Sequence, residues 1–298
     1  MHASLRSPTV HTPQTFSELQ SILTRSEKFT YFAYGSEIMR QKDSYPAKDS
    51  AMEIISLSSI EEMKRFQRND KIAEIGAMLS LEELLSVGRS ILPKILVDTI
   101  KSFGGSVILR GISIGGCLAS KKLVSYISGT LIALDAQAEI KFLKRKRLHS
   151  KWYPIRALFD KDGLKVQEGA IISRIRVPLE TMLWQRFYKK GDFLTESSKA
   201  LALSFIANHE ADTLNSIHIV MTYPDKGIIF GRDYDNIFSS VRLPLDQEET
   251  KSLIDSILSL CEQSRNLSSL QRERTKGILN DIIYELNIET LNQSLGEK

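Results

Sequence analysis

Apolar residues recur at helical spacing from Phe16 through Leu19 and Ile22 to Leu23, and Thr15 with Glu18 frames the start as a capping box. The aromatic and β-branched run from Phe29 to Tyr34 predicts a strand closed by a Gly35-Ser36 turn. "AMEIISLSSI" and "KIAEIGAML" predict two more strands. Ser80 and Glu83 then open a helix with Leu81, Leu84 and Leu85 inward and Gly88 as its stop. In "LPKILVDTIKSFG", Ile95, Leu96, Thr99, Ile100 and Phe103 share one helix face, and Gly104-Gly105 ends it. "LIALDA" reads as a helix running into the strand "AEIKFL".

After "ISRIRVP" the pattern changes. Strands are expected around "ALALSFIA", "SIHIVMTY" and "GIIFG". Two amphipathic helices close the chain: Leu253, Ile254, Ile257, Leu258 and Cys261 share a face in one, and Leu279, Ile282, Ile283 and Leu286 in the other. This predicts two domains, 11–184 and 185–298, with no internal repeat.

The 298 residues suffice for one large or two ordinary domains, and 40 basic against 36 acidic side chains leave a net charge of +4. That balance argues against a nucleic-acid partner. The local run Lys144 to Arg147 lies between two β-prone stretches, where a hairpin turn puts its side chains in water; nucleic-acid binding by that tip is the lesser alternative. No apolar run approaches the roughly 20 residues that cross a bilayer, so no membrane is expected. Cys117 and Cys261 form no C-x-x-C, so the chain offers no cluster ligands of its own, and a reducing cytoplasm fits.

The densest local signal is "ILRGISIGGCLAS". It fits a G-x-S-x-G elbow with Ser113 as nucleophile, for which Asp212 and His218 follow in the right order. It also fits a phosphate cradle at Gly115-Gly116, where bare backbone brings N–H groups to an anion. No oxyanion loop precedes Ser113, and the stretch before it is helical. His2, His11, His149, His209 and His218 show no metal-ligand spacing, and neither a P-loop nor a Rossmann fingerprint occurs. Two small-residue turns, "AYGSEIM" and "SIGGCLAS", could together hold one diphosphate, or both could be simple tight turns.

On these residues the chain resembles the FAD-binding medium subunit of the molybdenum hydroxylases, the xanthine dehydrogenase and carbon monoxide dehydrogenase group. Seven landmarks occur in family order: Pro13, "AYGSEI", "EIGAMLSLEEL", "ILRGISIGGCLA", "LIALDA", "AIISRIRVP" and "FYKKG". The resemblance implies an α+β fold, an FAD-binding domain of the vanillyl-alcohol-oxidase/PCMH type followed by a smaller domain of three strands and helices. It implies an oxidoreductase subunit that binds FAD and relays electrons from iron–sulfur clusters to NAD or another acceptor. Its partners would be an iron–sulfur subunit and a molybdenum-cofactor subunit, which carry the metals.

Carried over by position, Ala33, Tyr34, Gly35, Ser36, Glu37 and Ile38 line the adenine-side and diphosphate loop. Ser113, Ile114, Gly115, Gly116 and Cys117 form the second diphosphate loop, and Phe103, Ile172 and Lys189 lie near the flavin ring and ribityl chain. The sequence departs from the family at four points. Tyr34 replaces the first glycine, Cys117 an asparagine and Tyr126 an aspartate, and Asp192-Phe193 occupy a basic position. Lys121 and Lys122 could pair with phosphate charge. The alternative is a scaffold subunit of the same fold that has lost or weakened FAD binding.

Overall fold

The computed structural model describes residues 9–38, 53–120, 125–160, 163–179, 183–193, 195–210, 212–239 and 241–296. A small parallel sheet opens the fold in the order β1 (Val10–His11), β3 (Glu53–Ser56), β2 (Phe29–Phe32), with α1 (Phe16–Leu23) between the first two strands in sequence. Thr15 caps α1 by accepting from the Glu18 N–H, but Glu18 reaches back to the Gln14 N–H rather than to Thr15.

The second sheet is antiparallel. Its order is β4 (Phe66–Arg68), β5 (Ile72–Gly76), β10 (Ile171–Pro178), β6 (Gln137–Lys144), β7 (Arg147–Pro154), and the short pair β8 (Phe159–Asp160) and β9 (Gly163–Leu164) lies between β7 and β10 in sequence. Within β10 the alternation expected of a half-buried strand holds beyond a register shift between Ile172 and Arg174. Ile175 and Val177 are buried, while Arg174 and Arg176 point to the other face. The β6–β7 hairpin turns at Arg145 and Lys146, and the four basic residues Lys144 to Arg147 are exposed, as a solvated turn requires.

Between β5 and β6 the described residues form five helices: α2 (Leu81–Gly88), α3 (Lys94–Lys101), α4 (Ser106–Arg110), α5 (Ile114–Ala119) and α6 (Tyr126–Ala133). The Ser80–Glu83 capping box is formed at α2. All eight residues of α6 are buried, which follows from "YISGTLIA" having no polar stripe to turn toward water. The helix is wedged between α3 and the C-terminal sheet. Its Thr130 hydroxyl lies 2.9 Å from that of Thr99 on α3 and 2.8 Å from that of Ser204 on β12 (Leu201–Glu210).

The C-terminal sheet runs β11 (Trp184–Lys190), β12, β13 (Thr213–Tyr223), β14 (Gly227–Ile229). Beside the three strands read from sequence, β11 adds a fourth; "WQRFYKK" carries too many charges to read as a strand until its pairing with β12 is known. Three helices cover this sheet: α7 (Arg232–Phe238), α8 (Gln247–Ser264) and α9 (Ser269–Gly296). An Asp246–Glu249 capping box starts α8 earlier than its apolar face alone indicates. Ile257, Leu258, Cys261, Leu279, Ile282, Ile283 and Leu286 form a second core with Trp184, Phe205 and Tyr223.

Candidate functional site

Both small-residue turns converge on the backbone just past β5. There the chain runs Ala77, Met78, Leu79 before Ser80 caps α2. The Ala77 carbonyl accepts the Gly115 N–H at 2.9 Å, and the Leu79 carbonyl accepts that of Ile114 at 3.1 Å. From the other turn, Tyr34 Oη donates to the Met78 carbonyl at 2.9 Å. One segment, Ala77 to Leu79, therefore anchors both turns, through Tyr34 on one side and Ile114 and Gly115 on the other.

The first turn depends on its glycine. Gly35 sits at φ +77°, and a Cβ there would run into the Phe32 ring. Gly35 is buried, Ser36 is exposed, and Ala33, Tyr34, Glu37 and Ile38 are half-buried. Tyr34 packs its ring against the main core, and burial together with the Glu83 charge raises its pKa.

The second turn is closed on itself. Ser113 caps α5, its Oγ accepting the Gly116 N–H at 3.1 Å, and its carbonyl accepts the Cys117 N–H at 3.0 Å. With Ile114 and Gly115 already bound to the strand, four successive N–H groups have acceptors inside the protein. Gly115 serves close packing, since a Cβ would lie 2.6 Å from Ala77 Cβ and 2.7 Å from its carbonyl oxygen. Cys117 is 6% exposed, and burial pushes its thiol up to about 12.

On the other flank lies a knot of rings. Tyr126, 4% exposed at the start of α6, has its ring centroid 4.2 Å from Phe103, 4.5 Å from Phe193 in an edge-on arrangement, and 5.7 Å from Phe187. Lys189 Nζ lies 5.1 Å from the Tyr126 centroid and donates to the Ser102 carbonyl at 3.0 Å. Burial raises the Tyr126 pKa and lowers that of Lys189. Asp192 accepts from the Thr195 N–H and hydroxyl, at 2.7 and 3.0 Å, shaping the turn that delivers Phe193. Of the three residues expected near a flavin ring, Phe103 and Lys189 meet on Tyr126. Ile172 does not join them. It is 7% exposed in the main core, paired with Ile140 on β6. Phe187 and the packing role of Tyr126 were not read from the sequence, since lone aromatics carry no local signature.

The nucleophile-elbow arrangement is not assembled. Ser113 is 2% exposed and caps a helix, Asp212 is paired with Arg242 at 2.6 Å, and His218 lies 3.4 Å from Asp135 and 3.8 Å from Asp235. Among the described residues, no group of three His, Cys, Asp or Glu side chains is placed to hold a metal ion. Lys121 and Lys122 lie outside the described residues.

Residues 4–180 match the family described as the FAD binding domain in molybdopterin dehydrogenase, well over half of the chain. The chain belongs to this family. Its fold is that of carbon monoxide dehydrogenase from Hydrogenophaga pseudoflava, with a TM-score of 0.74 at 13% identity over 93% of this chain and 94% of that one. Quinoline 2-oxidoreductase from Pseudomonas putida 86 matches with a TM-score of 0.74 at 12% identity, covering 97% and 99%. Carbon monoxide dehydrogenase from Oligotropha carboxidovorans matches at 0.75 and 17%, covering 95% and 97%. No curated protein sequence matches this chain.

Measured against the flavin that gives the FAD-binding domain family its description, the residues present fit poorly at both ends. The first diphosphate turn keeps its left-handed glycine, and beside Gly116 only the Ser113 hydroxyl stands where a Cβ would go. The N–H groups of the second turn, however, are spent on Leu79, Ala77 and Ser113, and the ring-side residues pack on Tyr126. Tyr126 and Phe193, two of the departures from the family pattern, pack against each other beside Phe103.

Proposed function

We propose that this chain is the FAD-domain subunit of a molybdenum hydroxylase-type complex and that its contribution there is structural, as a scaffold that carries no flavin. Membership of the molybdopterin dehydrogenase FAD-domain family and the end-to-end fold similarity to carbon monoxide dehydrogenase and quinoline 2-oxidoreductase support its place in such a complex. Its partners are then an iron–sulfur subunit and a molybdenum-cofactor subunit. The observation that carries the scaffold role is the closed second turn: Ile114, Gly115, Gly116 and Cys117 all donate within the protein, so these four N–H groups are already spent where a diphosphate would need them. Two free, buried cysteines suit a reducing cytoplasm.

A second reading keeps the flavin. Gly35 at φ +77°, a turn that keeps its left-handed glycine, favours a chain that binds FAD and relays electrons to NAD or another acceptor. In that case FAD would supply the redox chemistry, and the Gly35 turn would hold its diphosphate. The visible spectrum separates the two. The chain, alone and co-purified with its partner subunits, is incubated with excess FAD and desalted, and any cofactor released on denaturation is identified. A colourless chain in both preparations supports the scaffold; stoichiometric FAD supports the relay.

A further inference from the structure

Tyr126 contacts two of the three residues that the family resemblance assigns to the flavin ring, Phe103 and Lys189, while the third, Ile172, lies in the main core. Phe103 faces its ring at a centroid distance of 4.2 Å and an interplanar angle of 37°, and the Lys189 ammonium sits over it at 5.1 Å. Phe193 closes the edge at 4.5 Å, nearly perpendicular at 82°. Rings at these separations are in van der Waals contact, so no third ring enters between them without displacing one. Tyr126 and Phe193 are 4% and 6% exposed, so displacement would unpack buried side chains.

From this geometry we infer that the phenol of Tyr126 occupies the seat an isoalloxazine would take, so that the chain excludes the flavin ring with one of its own. The seat has a structural use. Phe103, in the turn after α3, and Tyr126, the first residue of α6, come before residue 184, whereas Phe187, Lys189 and Phe193 follow it, and Ala200 and Ala202 complete the cluster from the C-terminal side. The ring therefore ties the two regions together at the place where a cofactor would have bridged them. Removing it opens a ring-shaped void lined by Phe103 and Phe193 with a cation on one side, a site for a planar, electron-poor heterocycle.

The inference deepens the scaffold reading and rests on it only for FAD itself, so the probe is lumiflavin, which has the three-ring system but neither ribityl chain nor phosphate. The full-length wild type, Tyr126→Ala and Tyr126→Leu are titrated with lumiflavin, following quenching of its fluorescence and the shift in Tm. Wild type is expected to give no quenching beyond that of free tyrosine. Tyr126→Ala should lose Tm and regain part of it with lumiflavin, binding at least about tenfold tighter than wild type, and Tyr126→Leu should bind less well than Tyr126→Ala. If Tyr126→Ala does not fold, Tyr126→Leu and the wild type decide. Quenching by wild type equal to that of the variants overturns the assignment, as does a folded variant that binds no lumiflavin. FAD retained by wild type overturns both this inference and the scaffold reading, whereas a colourless wild type with a folded, non-binding Tyr126→Ala overturns the seat alone.

Discussion

Arg174 grips Glu139 with two parallel hydrogen bonds, from Nε at 2.8 Å and from Nη2 at 3.0 Å, across the pair formed by β10 and β6. Glu139 is 3% exposed, and Arg174 also pairs with Glu74. Burial by itself would raise the Glu139 pKa. Hydrogen bonds from Arg174 and Ser173 and the nearby Lys141 charge outweigh it and bring the carboxyl down to about 2. A carboxyl with a depressed native pKa stabilises the fold at pH values above its ordinary range, roughly 4.3, and that contribution is lost as pH falls toward the native value. Denaturation midpoints measured from about pH 5 to about pH 2 should therefore fall steadily, and Glu139→Gln should flatten that limb. Arg174→Met, which leaves the buried carboxylate only Ser173 and Lys141, should lower stability by about 1–3 kcal/mol.

Adjacent glycines in the second turn should respond differently to alanine. At Gly115 the new Cβ meets the Ala77 backbone at 2.7 Å, which cannot move without disturbing β5, so a loss of about 1–3 kcal/mol is expected. At Gly116 the only neighbour is the Ser113 hydroxyl, at 2.8 Å, which can turn aside at the cost of its cap on α5, about 1 kcal/mol. Thermal melts of the two variants should rank Gly115→Ala below Gly116→Ala.

Thr130 joins the two halves of the molecule through hydroxyls, to Thr99 and to Ser204. Thr130→Val leaves the buried Ser204 hydroxyl without that partner and should cost about 1–3 kcal/mol. Adding Ser204→Ala to Thr130→Val should recover part of the loss, measured as non-additivity in a double-mutant cycle.

At the hairpin tip, Arg145 and Lys146 are held at φ 50° and 63°, the left-handed pair of a type I′ turn that favours Asn-Gly. Replacing them with Arg145→Asn and Lys146→Gly should raise stability by about 1 kcal/mol, seen as a higher Tm, because the exposed side chains add nothing that holds the turn.

Burial pushes the Cys117 and Cys261 thiols each up to about 12. Neither should react with a thiol reagent at neutral pH in the native protein, and both should react once denaturant is added.

Much of the architecture could be read along the chain. The Ser80–Glu83 box, the faces of α3 and α8, the hairpin at Lys144 to Arg147 and both glycine turns are short-range patterns, in which residues a few positions apart set backbone geometry and burial. The ordered landmarks identified the family for the same reason, since each is a local backbone requirement preserved in sequence. Two things lay beyond that reach. One is β11, whose charged sequence becomes a strand only through pairing with β12. The other is the use made of the site. Whether the N–H groups of Ile114 and Gly115 face an anion or the Leu79 and Ala77 carbonyls depends on a segment almost forty positions earlier. Whether Phe103 and Lys189 flank a cofactor or a tyrosine depends on how α6 is driven between two cores. Sequence determined the frame and its likeness to flavin-binding relatives; packing of side chains distant along the chain decided what fills it.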